Sequence, residues 1–261
     1  MTSGRILAIG NHKGGVGKTT ITLATGAELA RRGRRVLLVD LDPQAALSAA
    51  AGAAAVDGPT LAEVIGGALP GRARLEEVIR PISEGIDLAP AATELAVSEL
   101  GLVGRLGRER VIARALAEVA GRYDLILCDL PPSLGLLTVA GLVAAHGVLV
   151  PTAARALDLR AVRVFLETVD AIRVELNPGL RVIGVVATFY DGRRRHDAEA
   201  LEVMRAGGLP VWEPVPGSVK VAEAAAAGVD AIGYAGPGNP AAAALQGVAA
   251  EVDRWLSQGQ G

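Results

Sequence analysis

The sequence is poor in three residue types, and each shortage excludes something. It has one cysteine, Cys128, so neither a disulfide framework nor a cysteine-built metal or iron–sulfur site is available. Only 3 % of its 261 residues are aromatic, so Ala, Val, Leu and Ile must build a core from the 51 % of the chain that is hydrophobic. Lysine occurs three times, as Lys13, Lys18 and Lys220, and arginine supplies the rest of the 26 cationic residues. A net charge of −2 excludes a globally basic nucleic-acid coat, so any contact with DNA has to come from a local patch. No apolar run approaches the ~20 residues that cross a bilayer. Strand-like Ile6–Ile9 follows the first residues directly, so no signal peptide is expected and the expected location is cytoplasmic.

What is present alternates. Strands are expected at Arg5–Ile9, Arg35–Val39, Ile86–Ala89, Asp124–Cys128, Gly147–Val150 and Arg181–Thr188, with a weaker one near Val211. Helical patterns fall at 18–32, 106–120, 134–145, 156–175, 196–206, 219–227 and 239–256. Such alternation predicts an α/β fold, a doubly wound and mostly parallel sheet with helices on both faces. Several strands are uninterrupted apolar runs, as burial on both faces demands. The Ala/Gly-rich stretch from Ala45 to Gly71 has weak periodicity and is expected to be a mobile surface segment. The whole chain, 1–261, is read as one domain with an ordered core over about 5–256.

Two of the three lysines lie five positions apart in one glycine-rich loop, Lys13-Gly14-Gly15-Val16-Gly17-Lys18-Thr19-Thr20. In a chain that otherwise uses arginine, a lysine marks a need for a compact ammonium. An apolar strand, a glycine turn and a helix opening at Lys18 form the layout of a phosphate-binding loop. The glycines bring main-chain N–H groups against phosphate oxygens, and the amino end of the helix adds about half a positive charge. In such a loop Lys18 reaches the β- and γ-phosphates and the Thr19 hydroxyl joins a Mg²⁺ shell. The strict G-x-x-x-x-G-K-[ST] pattern is not met, because His12 occupies its first glycine position. A merely structural helix-capping turn is disfavoured by the buried-looking strand that precedes the loop.

Two further apolar runs end in acid, Val36–Gln44 with Asp40 and Asp42, and Leu125–Ser133 with Asp129. Either alone could be a strand-end turn. In an open parallel sheet, however, ligands bind beyond the carboxyl ends of the strands, so all three motifs converge on one edge. Carboxylates placed there can hold Mg²⁺ through water and orient an attacking water.

Lys13–Thr20, Asp40–Gln44 and Asp129–Ser133 resemble the deviant Walker A, Walker A′ and Walker B motifs of the ParA/MinD family of P-loop ATPases. Tyr123–Thr138 is closest to the Soj-like ParA partition proteins. The likeness continues through Val185–Asp191 and, more weakly, Val215–Ala224, so it spans about 5–256 in matching order. The resemblance implies binding of ATP and Mg²⁺, closure into a homodimer, binding of DNA without sequence preference, and hydrolysis stimulated by a ParB-like activator. It also implies residue roles. Lys13 would reach across the dimer to the partner's nucleotide, and Gly14 would lie where the subunits leave no room for a side chain. Gly15, Val16, Gly17, Lys18, Thr20 and Pro216 would contact nucleotide, Thr19, Asp40 and Asp129 would serve the metal, and Asp42 would position the lytic water. Lys13, Lys18 and Asp42 are thus the catalytic candidates. The resemblance further implies nucleoid association in the ATP-bound state, and an N-terminal helix-turn-helix is not expected.

Departures from the family pattern include His12 in place of Gln, and Gly217, Ser218, Lys220, Ala222 and Ala225 after Pro216. Arg193, Arg194 and Arg195 form a compact basic run, and with Lys220, Arg160 and Arg163 they are the expected DNA-binding patch. Arg31, Arg32, Arg34 and Arg35 are better explained as cations at a helix carboxyl end. His146 is expected to be packed, Cys128 to behave as a small hydrophobe, and Trp212 and Trp255 to pack. Two other functions compete. A MinD-like membrane-associated regulator calls for a basic amphipathic end, whereas Gln246–Ser257 is acidic, so no stable membrane binding is expected. A nucleotide-switched scaffold with little turnover is opposed by intact Lys18, Asp42 and Asp129.

Overall fold

The structure is a computed structural model that describes residues 4–53, 58–66 and 73–258. Its elements are β1 (Arg5–Ile9), α1 (Lys18–Arg31), β2 (Val36–Asp40), α2 (Ala46–Ala50), α3 (Leu61–Ile65), α4 (Leu75–Val78), β3 (Arg80–Ser83) and β4 (Ile86–Ala89). There follow α5 (Glu94–Gly101), α6 (Val111–Ala117), β5 (Leu125–Asp129), α7 (Leu136–Ala144), β6 (Gly147–Ala153) and α8 (Ala156–Glu175). The last are β7 (Arg181–Tyr190), α9 (Arg195–Ala206), β8 (Val215–Pro216), α10 (Val219–Ala226), α11 (Ala231–Ala235) and α12 (Pro240–Gln258).

The strands form one sheet in the order β3-β4-β2-β5-β1-β6-β7-β8, parallel throughout except for β3, which is antiparallel to β4. Every residue of β2 and β5 is buried. Successive residues serve opposite layers, because side chains alternate across a strand. Ile6, Ala8, Leu37, Val39, Ile126 and Cys128 pack with Leu116, Leu137 and Phe165 of α6, α7 and α8. Leu7, Ile9, Leu38 and Leu127 pack on the other face with Ile21 and Leu29 of α1 and Leu245 and Val252 of α12. Burying each such Leu or Ile contributes about 1.5–3 kcal/mol. The doubly wound fold is therefore as expected.

The differences are local. β2 and β5 run one residue further than expected, which makes Asp40 and Asp129 their last residues. The edge strand β3 carries Pro81, a residue sheets tolerate only at an edge or bulge. Val211 makes only an isolated bridge with Val185, and the eighth strand is Val215–Pro216. The stretch from Ala45 to Gly71 is not the expected mobile surface where it is described; its residues 54–57 and 67–71 lie outside the described residues. Leu47, Leu61 and Ile65 of α2 and α3 are fully buried, and Thr60 with Glu63 forms a capping box on α3. Helices of five residues make little more than one turn, too short to display a period. His146 is exposed rather than packed, and its Nδ1 accepts the Ile6 N–H at 2.9 Å. Cys128 is buried as expected, and burial pushes its thiol up to about 12. Trp255 packs under the guanidinium of Arg5, 3.7 Å from the ring centre. Trp212 lies against Gly184, where a Cβ would come within 2.4 Å of its ring.

Candidate functional site

The glycine loop connects β1 to α1 and is fastened on both sides. At its start, a Cβ on Gly10 would lie 2.6 Å from Phe165 Cζ and 2.8 Å from Leu130 Cδ1, so only glycine lets the chain pass. Fully buried Asn11 donates from Nδ2 to the Pro151 carbonyl at 2.8 Å, while its Oδ1 accepts the Lys13 N–H at 3.1 Å. At its end, Thr188 Oγ1 lies 3.0 Å from the Val16 carbonyl and 3.1 Å from that of Thr152, and its one proton serves either. Gly17 caps α1 at φ 84°, in the left-handed region that glycine adopts without a Cβ clash. Ile21 N–H is bonded to the Gly17 carbonyl, so the helix leaves its first N–H groups facing the loop, as an anion site requires.

Lys18 is buried, and its Nζ donates to the Lys13 carbonyl at 3.1 Å. Burial lowers its pKa, and the nearby Asp129 and Asp42 carboxylates oppose that shift. Gly14 and Gly15 are exposed at the rim. A Cβ on Gly14 would meet nothing closer than Pro132 Cβ at 3.8 Å, so nothing within its own chain requires a glycine there.

Adjacent strands bring the acids to this loop. In register, Ile9 pairs with Asp129, and Asp129 with Asp40. Thr19 Oγ1 donates to Asp129 Oδ2 at 2.7 Å, and Thr22 Oγ1 lies 3.3 Å from Asp129 Oδ1. Burial, then the neighbouring Asp40 charge, pushes the Asp129 carboxyl up to about 7. Burial likewise raises Asp40 to about 6, against the bonds it accepts from Ser48. Asp40 has both oxygens engaged: Oδ1 accepts Asp42 N–H at 3.1 Å, and Oδ2 accepts Ser48 N–H and Oγ–H at 2.8 and 2.7 Å. It stands behind the open edge and holds the loop that carries Asp42. Asp42 is half-buried, and its Oδ1 caps the next turn through Gln44 N–H at 2.9 Å.

Among the described residues, no three His, Cys, Asp or Glu side chains converge as a self-sufficient metal cage. That suits Mg²⁺, which keeps several waters and takes one or two protein oxygens together with phosphate oxygens. The neighbouring Thr19 and Asp129 oxygens are a hard donor pair of that kind. A buried acid with so raised a pKa is also one that a cation would return to its ionised form.

Pro216 pairs with Tyr190 at the sheet edge, and a Cβ on Gly217 would lie 3.9 Å from Phe189 Cα. Phe189 is half-exposed and adopts φ 54°, an uncommon conformation for a residue with a bulky side chain. A Cβ on Gly17 would lie 4.0 Å from Phe189 Cζ, so Phe189 joins Pro216–Gly217 to the end of the loop. No periodicity signals Phe189, Thr188 or Ser48, which acquire their places only from the strand order.

The residues of the basic patch are all exposed, and its arginine run lies beside carboxylates. Arg193 and Arg194 both pair with Asp191, at 3.1 and 3.5 Å, and Arg195 pairs with Glu199 at 2.7 Å. Arg163 pairs with Glu167 at 3.2 Å and, like Lys220 and Arg160, is exposed.

The AAA domain family model AAA_31 matches residues 4–182. Over 250 residues the chain is 38 % identical to the chromosome-partitioning ATPase Soj of Thermus thermophilus, covering 95 % of each. It is 40 % identical over 256 residues to an uncharacterized protein of Mycobacterium tuberculosis, covering 96 % of this chain and 79 % of that one. The structure of cobyrinic acid a,c-diamide synthase from Mycobacterium smegmatis, with bound ADP and magnesium, superposes with a TM-score of 0.83 at 36 % identity, covering 98 % of this chain and 96 % of that one. The phosphate loop, its partner acids and a likeness that runs nearly end to end agree: this chain belongs to the ParA/MinD family, close to its Soj-like proteins.

Proposed function

We propose that this chain is a ParA-like ATPase, a single P-loop domain that takes ATP with Mg²⁺ and uses hydrolysis to drive segregation or positioning of a cargo. The observation that carries the reading is the convergence of Lys18, Thr19 and Asp129 on a glycine loop already fixed by Asn11 and Thr188. Main-chain N–H groups from Gly14 to Thr20 bind the phosphates, and Lys18 exchanges the Lys13 carbonyl for phosphate oxygen. Thr19 and Asp129 hold the metal, with Asp40 in support through the Asp42 loop. Bound Mg²⁺ supplies neutralisation of charge on the phosphate oxygens. Asp42 orients the attacking water, and Pro216, paired with Tyr190, borders the nucleotide.

Lys13 acts in trans. Two ammonium groups on one phosphate chain would repel, whereas Lys13 placed on the partner's nucleotide makes ATP an adhesive between two copies. The room around Gly14 within its own chain supports this, since the need for glycine is then imposed by a second subunit. The ATP-bound homodimer binds DNA without sequence preference through Lys220 and the Arg193–Arg195 segment, doubled by dimerisation. Because those arginines already have carboxylate partners, Lys220 carries the larger share per residue. A ParB-like activator stimulates a slow basal rate, and the protein is cytoplasmic and nucleoid-associated while ATP is bound.

No helix among the described residues is long and apolar enough to cross a membrane, and the end of α12 lacks the basic face a surface anchor uses.

The test is phosphate release by the full chain with and without DNA and a ParB-like partner. A Lys18-dependent rate raised by both is expected, and a rate that neither raises sinks the partition reading. ATP-dependent co-sedimentation with liposomes would instead favour a MinD-like regulator. Salt-sensitive DNA binding that survives intact in an Arg193→Ala/Arg195→Ala/Lys220→Ala protein removes the assigned patch.

A further inference from the structure

We propose that Ser48 is a positioning residue for Asp42, acting through the Asp40 carboxylate that closes the intervening loop; this rests on the reading of Asp42 as the group that orients the attacking water. Ser48 and Asp40 are buried, at 1 % and 0 % exposure. One carboxylate grips both ends of the segment from Asp42 to Ser48. Its Oδ1 takes the Asp42 N–H at 3.1 Å, and its Oδ2 takes Ser48 N–H at 2.8 Å and Ser48 Oγ–H at 2.7 Å.

The polarity of the hydroxyl is fixed. Ala91 N–H donates to Ser48 Oγ at 3.1 Å, so the hydroxyl spends a lone pair on the segment that follows β4 and its only proton on Asp40. Only Thr matches that combination of one donor and one acceptor at similar size. The clamp also works against strain, because Ala45, midway along the loop, is held at φ 53°. An alanine in the left-handed region is strained, which gives the loop an incentive to relax. Without the hydroxyl, Asp40 keeps only the residue-48 main-chain N–H on Oδ2, Ala91 N–H loses its acceptor, and the carboxylate that anchors the Asp42 main chain is held less firmly. A misplacement of about 1 Å at a catalytic group costs up to about 100-fold in rate.

The experiment compares wild type, Ser48→Ala and Ser48→Thr in the full chain, alone and combined with Asp42→Asn. It reads kcat for phosphate release and the affinity for a non-hydrolysable ATP analogue. Ser48→Ala is expected to lower kcat about tenfold while analogue affinity stays within about threefold. Ser48→Thr should restore kcat to within about threefold of wild type, and in the Asp42→Asn background Ser48→Ala should change kcat by less than about twofold. An unchanged kcat in Ser48→Ala overturns the proposal, as does a tenfold loss that persists without the Asp42 carboxylate or an equal loss of affinity and kcat. Should Ser48→Ala not fold, Ser48→Cys, with a weak donor in nearly the same volume, carries the same comparison. An Asp42→Asn protein that turns over normally refutes the reading of Asp42 instead, whereas a slow Asp42→Asn with an unaffected Ser48→Ala refutes Ser48 alone.

Discussion

The ammonium of Lys18 donates to the main-chain carbonyl of Lys13 at 3.1 Å, so the two lysines of the loop are joined through backbone and not through competing side chains. Lys13→Ala preserves that carbonyl and with it the seat of Lys18. Nucleotide binding by the monomer should stay within about threefold of wild type, while ATP-dependent dimers and DNA binding disappear. Light scattering and gel shift with a non-hydrolysable analogue measure both. A Lys13→Ala protein that still dimerises on ATP removes the trans role. Lys18→Ala, in contrast, should weaken nucleotide binding at least about tenfold, since it removes a charge-assisted bond that is buried.

Thr188 fastens the far end of the loop from a different strand. Thr188→Val keeps the shape and removes the hydroxyl that serves the Val16 and Thr152 carbonyls. The expected loss is about 1–3 kcal/mol in urea denaturation, the cost of leaving a buried polar partner unsatisfied. Nucleotide affinity should fall as well, because Val16 belongs to the loop. Unchanged affinity would mean that the loop holds its shape without β7.

Asp129 ties stability to pH. Its carboxyl is raised to about 7 in the folded chain against an ordinary value of 3.8, so between about pH 4 and 7 the native state binds more protons than the unfolded one. Stability without nucleotide is therefore highest at the acid end of this window and falls as pH rises. Asp129→Asn should flatten most of that slope, leaving the part due to Asp40, and should melt higher than wild type at pH 7.5. The same variant should lose the Mg²⁺ dependence of nucleotide binding. A variant with an unaltered slope would show that Asp129 is not the titrating group.

Ala45 stands at φ 53° at the amino end of α2. Ala45→Gly relieves about 1–2 kcal/mol of left-handed strain and loses about 0.4–1 kcal/mol to the freer unfolded chain. A net gain of roughly 0.5–1 kcal/mol is expected from chemical denaturation. A loss of stability would show that the surrounding loop relies on the methyl group for packing.

Much of this was legible beforehand because it rests on long apolar runs and on glycine spacing. β1, β2, β5 and the loop at Lys13–Thr20 carry both signals, and the parallel order of their strands places Asp40, Asp42 and Asp129 beside the loop. Ser48 and Thr188 were not legible as site residues, since one small hydroxyl in a run of alanines or at a strand end has no period to break. Their partners, Asp40 and Val16, lie 8 and 172 positions away. The arginine run is the opposite case: its charge is visible in the sequence, whereas its pairing with Asp191 and Glu199 depends on the turn into α9. The shortest helices, α2, α3, α4 and α11, offer too few turns for a period to show.

Asn11 and Thr188 hold the loop from both flanks before any ligand arrives. A receptor built in advance spends little binding energy on ordering itself, so ADP for ATP exchange here need not await refolding of the loop. In the proposed cycle the interval between turnovers is then set at hydrolysis and subunit separation, which would make the protein a timer whose slow hand lies outside nucleotide entry.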